Sequence, residues 1–346
     1  MAAPTLIPVA AQASTSTPTA RIVVTHPGRP LDRKVLAEQL AEFLGKGSLT
    51  ERDEALLEYL RETYVLSLNQ VQRLLWMGKS SVTAYNRLQS LQRNDLLAAA
   101  RIPRDGMNDW RLPVCKVYTL GEAGRMWLRL DVDGRQANYL RRDQVLHDLL
   151  AAEIMVRLEE AVRRRGREWS MAWSGEQAAS FIEKVGDNPV ARPDGLAVLR
   201  QQRGDKVAVL PLFVEVDAGR EPHGRPSSDW GRKVIGYDRF YAGSWQSHPR
   251  LNNLPIFPMV AVVTHGEQRL LNLAKAIAEH RKQPVTYYLA HWPDLCPTGV
   301  PANDDILSAP AWMIVPPEGE VVGTERAARR PLVAESKKKT RKAEAS

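Results

Sequence analysis

The 346-residue chain has few cysteines and no long apolar segment. Its two cysteines, Cys115 and Cys296, lie far apart, and neither belongs to a CxxC pair. This scarcity argues against a disulfide-stabilised fold and against a structural zinc site built from paired cysteines. No apolar run approaches the roughly 20 residues that a membrane-spanning helix needs. We therefore expect a reduced, cytoplasmic protein without membrane partners.

The two ends of the chain are poor in residues that build a core. Residues 1–30 open with Ala, Thr, Pro and Ser and have no basic segment before an apolar one, which predicts a disordered leader rather than a signal peptide. Residues 324–346 hold eight Lys or Arg against three Glu, and so supply most of the formal net charge of +8. We predict that residues 317–346 form a disordered basic tail. Such a tail either solubilises the chain or contacts phosphates nonspecifically.

Residues 31–130 carry helix and strand signals in the order of a winged helix-turn-helix. Candidate capping residues precede three successive helices: Thr50, Ser67 and Ser80. Two apolar runs at residues 96–102 and 114–120 then flank a cluster of turn residues, which predicts a hairpin. Three helices followed by a hairpin indicate an N-terminal DNA-binding domain of the winged-helix type.

The third of these helices and the wing concentrate positive charge. Residues 79–104 contain five basic side chains and one acidic one, an excess of +4. In a helix-turn-helix the third helix enters the major groove, with its N-terminal half nearest the bases. The predicted inward positions are Val82, Tyr85, Leu88 and Leu91. The predicted DNA contacts are Lys79, Ser80, Ser81, Thr83, Asn86, Arg87, Arg101 and Arg104. The alternative is a protein–protein module whose basic face is only solvated.

Residues 142–316 alternate between predicted strands and helices, which indicates a second domain with an α/β sheet. Within it, Asp194 opens one apolar run, and Glu215 and Asp217 end the next. The polar turn between the two runs predicts a β-hairpin. Because residues i and i+2 of a strand point to the same face, we expect Glu215 and Asp217 to project together, with Asp194 beside them. Three neighbouring carboxylates require a balancing cation.

This acidic pattern resembles the metal site of PD-(D/E)xK nucleases, whose fold is restriction-endonuclease-like. There is one departure, because Asp217 stands where that motif has lysine. If the domain is catalytic, Asp194 and Glu215 bind Mg²⁺ or Mn²⁺, and the ion activates water. Lys233, on the next helix, is the best replacement for the missing lysine. The candidate catalytic residues are Asp194, Glu215, Asp217 and Lys233.

Further residues are candidates for supporting this site. Glu153 or Glu159, on the long helix before the sheet, could complete the metal shell. Tyr237 lies one turn beyond Lys233 on the same helix face and could assist it.

The alternative to a metal site is an ion-pair network that fixes the edge of the sheet. Lys233, Arg220 and Arg232 would then balance the three acids without a metal. The loss of the motif lysine at Asp217 favours this alternative.

Taken together, several short stretches resemble the replication-relaxation family of bacterial plasmid and mobile-element proteins. They are residues 49–53 (LTERD), 86–91 (NRLQSL), 96–97 (LL), 117–124 (VYTLGEAG), 147–150 (HDLL), 192–194 (RPD) and 213–221 (FVEVDAGRE), with Lys233 and Tyr237. The resemblance implies a role in replication, DNA relaxation or mobilisation, exerted through DNA binding. It also implies that the Glu-Val-Asp form is a family trait.

We therefore predict an α/β protein, α+β overall, with a winged helix-turn-helix before a restriction-endonuclease-like sheet domain. The expected partners are double-stranded DNA and either a second copy of the chain or relaxosome and replication proteins. The second domain is expected to provide further DNA contact, dimerisation or a partner surface. Two alternatives stay open: a metal-dependent nuclease or nickase, and a transcription regulator.

Overall fold

The computed structural model describes residues 21–23, 33–46, 49–102, 116–130, 139–181, 190–218, 229–243, 245–296, 306–318, 320–325 and 328–333. Over these ranges the chain combines helices with three sheets, of two, three and six strands. The helices and the mixed and antiparallel sheets make an α+β fold, which confirms the predicted fold class. Among the described helices, none has both the length and the apolar character of a membrane-spanning segment.

The first half of the described chain holds five helices around a small sheet. Its elements are β1 (Arg21–Val23), α1 (Arg33–Gly45), α2 (Glu51–Thr63), β2 (Leu66–Ser67), α3 (Leu68–Leu75), α4 (Ser81–Arg93), β3 (Leu97–Arg101), β4 (Lys116–Leu120) and α5 (Glu122–Trp127). The central strand of the small sheet is β4, which pairs antiparallel with both β2 and β3.

Side-chain caps start the three central helices where the sequence predicts them. Thr50 and Asp53 form a reciprocal capping box at α2, and Ser67 forms another with Gln70 at α3. The Ser80 hydroxyl accepts a hydrogen bond from the Thr83 amide and caps α4. Each cap satisfies backbone N–H groups that have no partner inside the helix, so each helix has a defined first residue.

The core of this half is aliphatic, and α4 contributes a different stripe from the predicted one. Ala84, Leu88 and Leu91 of α4 are fully buried against α2, α3 and the small sheet. The prediction that Val82 and Tyr85 face inward is wrong, since their exposed fractions are 62% and 40%. Small Ala84 takes the inward position, which lets α4 lie close to the core and leaves two large apolar side chains on its outer face.

The second half is built on the six-stranded sheet. Its elements are β5 (Tyr139–Arg141), α6 (Arg142–Arg165), β6 (Trp169–Gly175), β7 (Gly195–Arg203), β8 (Lys206–Asp217), α7 (Asp229–Ala242), β9 (Met259–Thr264), α8 (Glu267–His280), β10 (Tyr287–His291), α9 (Trp292–Leu295) and β11 (Trp312–Val315).

The strand order of this sheet is β11-β10-β9-β8-β7-β6. Strands β8, β9 and β10 are parallel, and the remaining pairings are antiparallel. Helices α7 and α8 cover one face and α6 covers the other, so neighbouring residues of β8 enter different cores: Phe213 packs with α7, and Val214 packs with α6. Glu215 follows the same alternation as Phe213 and points to the α7 face.

The two halves share α6. Ala152, Met155 and Val156 of this helix pack into the core of the first half, whereas Ile154 and Leu158 pack on the large sheet. Polar contacts join the same elements, as described below for Glu153. Because one helix belongs to both cores, movement of the first half against the sheet would disrupt buried contacts on both sides.

Both ends of the chain are more ordered than the sequence predicts. Residues 21–23 form β1 and pair with β5, so a disordered leader is wrong for these three residues; the rest of 1–30 lies outside the described residues. The prediction of a disordered tail is likewise wrong for the described residues of 317–333. Bridges join Val322 to Ile314 and Arg330 to Trp312, and the buried Arg329 pairs with Glu267 and Asp294.

These tail residues also bury apolar surface. Leu332 and Val333 pack against the core between α6 and the sheet. These apolar residues follow shortly after Arg329 and Arg330, and their burial explains why this segment is ordered although its charge pattern predicts disorder. Residues 334–346 lie outside the described residues.

Candidate nucleic-acid interface and carboxylate cluster

The N-terminal turn of α4 is the most exposed part of the predicted recognition element. Lys79, Ser80, Ser81, Thr83 and Asn86 are all exposed. The side chains of Ser80 and Thr83 form a hydrogen bond with each other, with their hydroxyl oxygens 3.0 Å apart, and the Ser80 hydroxyl also caps the helix. Lys79, Ser81 and Asn86 therefore offer the freest polar groups, beside a helix N-terminus whose amide dipoles favour anions.

Arg87 is directed inward, to Asp53 at the start of α2. Its Nε donates to Asp53 Oδ1 at 2.9 Å, and Nη2 bonds the other carboxylate oxygen. Burial raises the pKa of Asp53, but Arg87 and Thr50 outweigh that effect and hold it below the ordinary value, so the pair is ionic. The structure thus corrects the prediction for Arg87: it fixes α4 against α2, and its guanidinium is not presented on the outer face.

The predicted wing begins beside α4. Arg101 and Lys116 are register partners at the end of the β3–β4 pair where the connecting segment leaves the sheet. The Lys116 ammonium lies 5.2 Å from the centre of the Tyr85 ring on α4, a cation–π contact that joins β4 to that helix. Arg101 is exposed, whereas Arg104 and the rest of the predicted wing tip lie outside the described residues. Lys116 was missed by the sequence reasoning, which placed the wing tip at residues 101–111.

Glu215 and Lys233 meet at the end of the large sheet. Lys233 Nζ donates to Glu215 Oε2 at 2.8 Å, and the Tyr237 hydroxyl donates to Glu215 Oε1 at 2.6 Å. These two donors lie one turn apart on α7, as their spacing predicts. Burial raises the pKa of Glu215 to about 7, against the lowering effect of Lys233. The Lys233 ammonium also lies 5.0 Å from the centre of the Trp230 ring.

Asp194 lies at the start of β7 and bridges this cluster to α6. Its Oδ2 accepts a hydrogen bond from the Val216 amide at 2.6 Å and lies 3.3 Å from His147 Nε2. The negative charge of Asp194 raises the pKa of His147 to about 11, so the ring is a cation at neutral pH. Burial raises the pKa of Asp194, but His147 and Lys233 together leave it below its ordinary value.

Asp217 has separate partners. Both of its oxygens bind the guanidinium of Arg269 on α8, with Nη2 at 2.6 Å from Oδ1, and the Thr264 hydroxyl donates to Oδ2 at 2.7 Å. Asp217 is fully buried. It is therefore held in a charge-paired position on the α8 side, while Asp194 and Glu215 are held by α6 and α7.

The carboxylate oxygens of Asp194 and Glu215, which would have to be the metal ligands, do not fit a divalent ion in the arrangement present. Both oxygens of Glu215 accept from Lys233 and Tyr237, and Asp194 Oδ2 is used by Val216 and His147. The candidate shell residues are engaged elsewhere, because Arg73 and Arg157 bind Glu153 and Arg163 binds Glu159. The cavity that Asp194 and His147 help to line measures about 20 Å³, which is room for about one water.

The cations that balance the acids differ in part from the predicted set. Lys233 is one of them, as predicted. Arg232 instead pairs with Asp229 on its own helix, and Arg220 lies outside the described residues. Among the described residues, His147 and Arg269 are further cations that pair with the acids, and the sequence reasoning did not predict them.

A family comparison decides which known proteins the chain resembles. The model of the replication-relaxation family matches residues 57–255, more than half of the chain. The chain belongs to the replication-relaxation family. This membership confirms the resemblance seen in the sequence motifs and supports a replication-related role. Comparison with curated proteins and with solved structures gives no significant match.

The replication-relaxation match spans both parts of the candidate site. It includes α4 with the β3–β4 pair, and it includes Asp194, Glu215 and Lys233. Arg269, the partner of Asp217, lies beyond its end. Within the matched range, His147 is a cluster residue that the sequence reasoning did not include in the site. Its adjacent Asp148 was visible in the HDLL motif, but no local signal placed that motif beside Asp194.

Proposed function

We propose that this replication-relaxation protein binds double-stranded DNA through α4 and the β3–β4 hairpin. The observation that carries the proposal is the exposed Lys79 at the N-terminus of α4, together with the paired positions Arg101 and Lys116 of the hairpin, of which Lys116 contacts Tyr85 of this helix. The order α2-β2-α3-α4-β3-β4 is that of a winged helix, in which the last helix enters the major groove and the hairpin reaches adjacent backbone. Binding of this kind would serve plasmid or mobile-element replication, relaxation or mobilisation.

Charge and exposure support this assignment. Lys79 and Arg101 are exposed on the described surface, and the contact of Lys116 with Tyr85 places a third cation beside the outer face of α4. Phosphate contacts from such side chains supply most nonspecific affinity for DNA and make it depend on salt. The exposed amide and hydroxyl groups of Asn86 and Ser81 are suited to base edges or phosphates.

The nuclease-like domain is proposed to act without catalysis, as a scaffold that offers further DNA contact, dimerisation or a partner surface. Its three acids are each matched by a protein cation: His147 for Asp194, Lys233 for Glu215 and Arg269 for Asp217. Paired charges of this kind hold a fold together without a metal. Asp217 thus serves as an anchor for α8 and is not a damaged copy of a catalytic lysine.

A second candidate function is cleavage of DNA, and the contact between Lys233 and Glu215 favours it. A lysine from the neighbouring helix stands beside the acid that the nuclease motif would use. Since Asp194 and Glu215 do not fit Mg²⁺ or Mn²⁺ in the arrangement present, cleavage would first require them to leave their partners His147, Lys233 and Tyr237; a bound ion would then supply an activated water. Nicking of supercoiled plasmid by the wild type but not by Asp194→Ala, only with Mg²⁺ or Mn²⁺, would establish this function. No metal-dependent nicking across varied substrates would leave the non-catalytic proposal standing.

The DNA-binding proposal is tested by the affinity for a duplex over a range of salt concentrations. We expect Lys79→Ala/Arg101→Ala to bind more weakly than the wild type and to lower the slope of log affinity against log salt by about two, one unit for each lost phosphate contact. Lys275→Ala is the matched control, because this lysine is exposed on α8. Equal affinities for all three proteins would overturn the proposed interface.

A further inference from the structure

The outermost ridge of α4 is uncharged over most of its length. Ala84, Leu88 and Leu91 form the buried stripe. The positions directly opposite them follow one another at intervals of four, three and four residues: Val82, Asn86, Gln89 and Arg93. Val82 has an exposed fraction of 62%, and Asn86 is also exposed. The part of the ridge nearest the helix N-terminus therefore has an apolar group and two carboxamides, of which Gln89 is half-buried and donates one hydrogen bond from Nε2 to Gln92 Oε1 at 3.3 Å.

Because Arg87 is paired with Asp53, the N-terminal part of the ridge has no arginine available to contact bases. Arginine and lysine are the usual readers of guanine, through its O6 and N7. Arg87 is the only arginine in the N-terminal half of α4, and Asp53 holds its guanidinium away from the ridge. Asparagine and glutamine instead match N6 and N7 of adenine, and apolar side chains match the C5 methyl group of thymine. From Val82 to Gln89 the ridge thus has the groups that suit A·T pairs, and its only charged member, Arg93, lies at the C-terminal end of α4.

We infer that α4 reads A·T base pairs in the major groove, with Asn86 and Gln89 bonding adenine and Val82 packing on a thymine methyl group. This inference rests on the proposed DNA-binding function and adds the class of sequence that the protein prefers. Asn86 and Gln89 are specificity-determining residues in this account, and Lys79 acts on phosphates without regard to sequence.

The length of α4 limits the number of base pairs that its side chains can contact. Val82 and Gln89 are seven residues apart, which is about 10 Å along the axis. This distance corresponds to about three base-pair steps of 3.4 Å. Arg93 lies about 16 Å from Val82, at the C-terminal end of the helix, where side chains in this kind of docking leave the base edges. Arg93 is therefore expected to contact the DNA phosphate backbone and not the base pairs that the rest of the ridge contacts.

The first measurement is selection of bound duplexes from a random library. We expect the wild type to enrich a core of three to four A·T pairs, about the length estimated above. Asn86→Ala is expected to lose the preference for adenine at one position while it keeps nonspecific affinity. Absence of any A·T enrichment in a wild-type protein that binds DNA overturns the inference and leaves the DNA-binding proposal intact. Absence of all binding overturns the DNA-binding proposal itself.

The second measurement removes single groups from the selected duplex. Replacement of thymine by uracil removes the methyl group, and we expect it to weaken wild-type binding several-fold but to leave Val82→Ala unaffected. Replacement of the one adenine that Asn86 is proposed to contact by 7-deazaadenine removes its N7, and the expected loss of about tenfold disappears in Asn86→Ala. Val207→Ala, at an exposed valine of the β7–β8 hairpin, is the control and should respond as the wild type does. If uracil weakens wild type and Val82→Ala equally, the thymine contact is refuted.

Discussion

Lys233 Nζ lies 2.8 Å from Glu215 Oε2, although Lys233 is on a helix and Glu215 lies near the end of a strand, 18 positions earlier in the sequence. The contact carries opposite implications for the two functions. It supplies the lysine that a nuclease site needs, and it also neutralises the acid that would otherwise bind a metal. Because the oxygens of Glu215 and Asp194 already accept hydrogen bonds, the structure favours Lys233 as the cation that neutralises Glu215. Measurements of protein stability test this role.

Removal of Lys233 should lower the free energy of unfolding, because the buried Glu215 carboxylate loses the cation that stabilises its charged form. The pKa of Glu215 is raised to about 7, so its folded form binds a proton more tightly than the unfolded form, and stability is lost as the pH rises from 4.5 through 7. Lys233→Met raises that pKa further. We expect a loss of about 3 kcal/mol in unfolding free energy at pH 8 and a smaller loss at pH 5. Urea unfolding at both pH values, with Lys275→Met as control, checks this, and an equal loss at both would contradict it.

The His147 ring should stay protonated through the neutral range. Asp194 raises its pKa to about 11, so its stabilising effect is complete below the unfolded value of 6.5 and fades as the pH rises towards 11. His147→Ala should lower the unfolding free energy by about 2 kcal/mol at pH 6, less than for a fully buried pair because the ring is partly exposed. NMR titration of the ring gives the direct readout. A midpoint near 6.5 would show that the ion pair does not form.

Restoring the nuclease motif at Asp217 should damage the protein. Asp217→Lys places a lysine in a buried position against the half-buried Arg269 guanidinium, so we expect a loss well above the roughly 3 kcal/mol expected for Asp217→Asn, which removes the charge and keeps the size. Thermal unfolding of the two variants makes the comparison. A stable Asp217→Lys protein that gains metal-dependent nicking would instead identify Asp217 as a lost catalytic position.

The two arginines of α4 should differ in their effect on folding. Arg87→Ala leaves Asp53 buried without its cation, and we expect a loss of about 3 kcal/mol. Arg93→Ala, at an exposed position near the end of the same helix, should change stability by no more than about 0.5 kcal/mol. Unfolding in urea separates them. Similar small losses for both would show that the Asp53 pair is not structural.

Local signals predicted the local features of this fold. The caps at Thr50 and Ser67 and the one-turn spacing of Lys233 and Tyr237 follow from short-range geometry, and all are present. The partner of Asp217 depends instead on strand order, because Arg269 comes 52 residues later and reaches Asp217 only when β9 pairs with β8.

Other features escaped prediction for similar reasons. His147 meets Asp194 only because α6 packs across the sheet. Apolar periodicity misplaced Val82, since an exposed valine has the same hydrophobicity as a buried one. Burial could therefore be assigned only after the fold of α4 against α2 was known.

The central claim is that the outer face of α4 contacts DNA, and site-specific photocrosslinking tests it most directly. A benzophenone amino acid is placed at position 82 on α4 or at position 207 on the β7–β8 hairpin, two exposed valines in different parts of the molecule. Each protein is irradiated with a labelled duplex. The account predicts efficient crosslinking to DNA from position 82 and little from position 207. Crosslinking from position 207 alone, or equally from both, would contradict it.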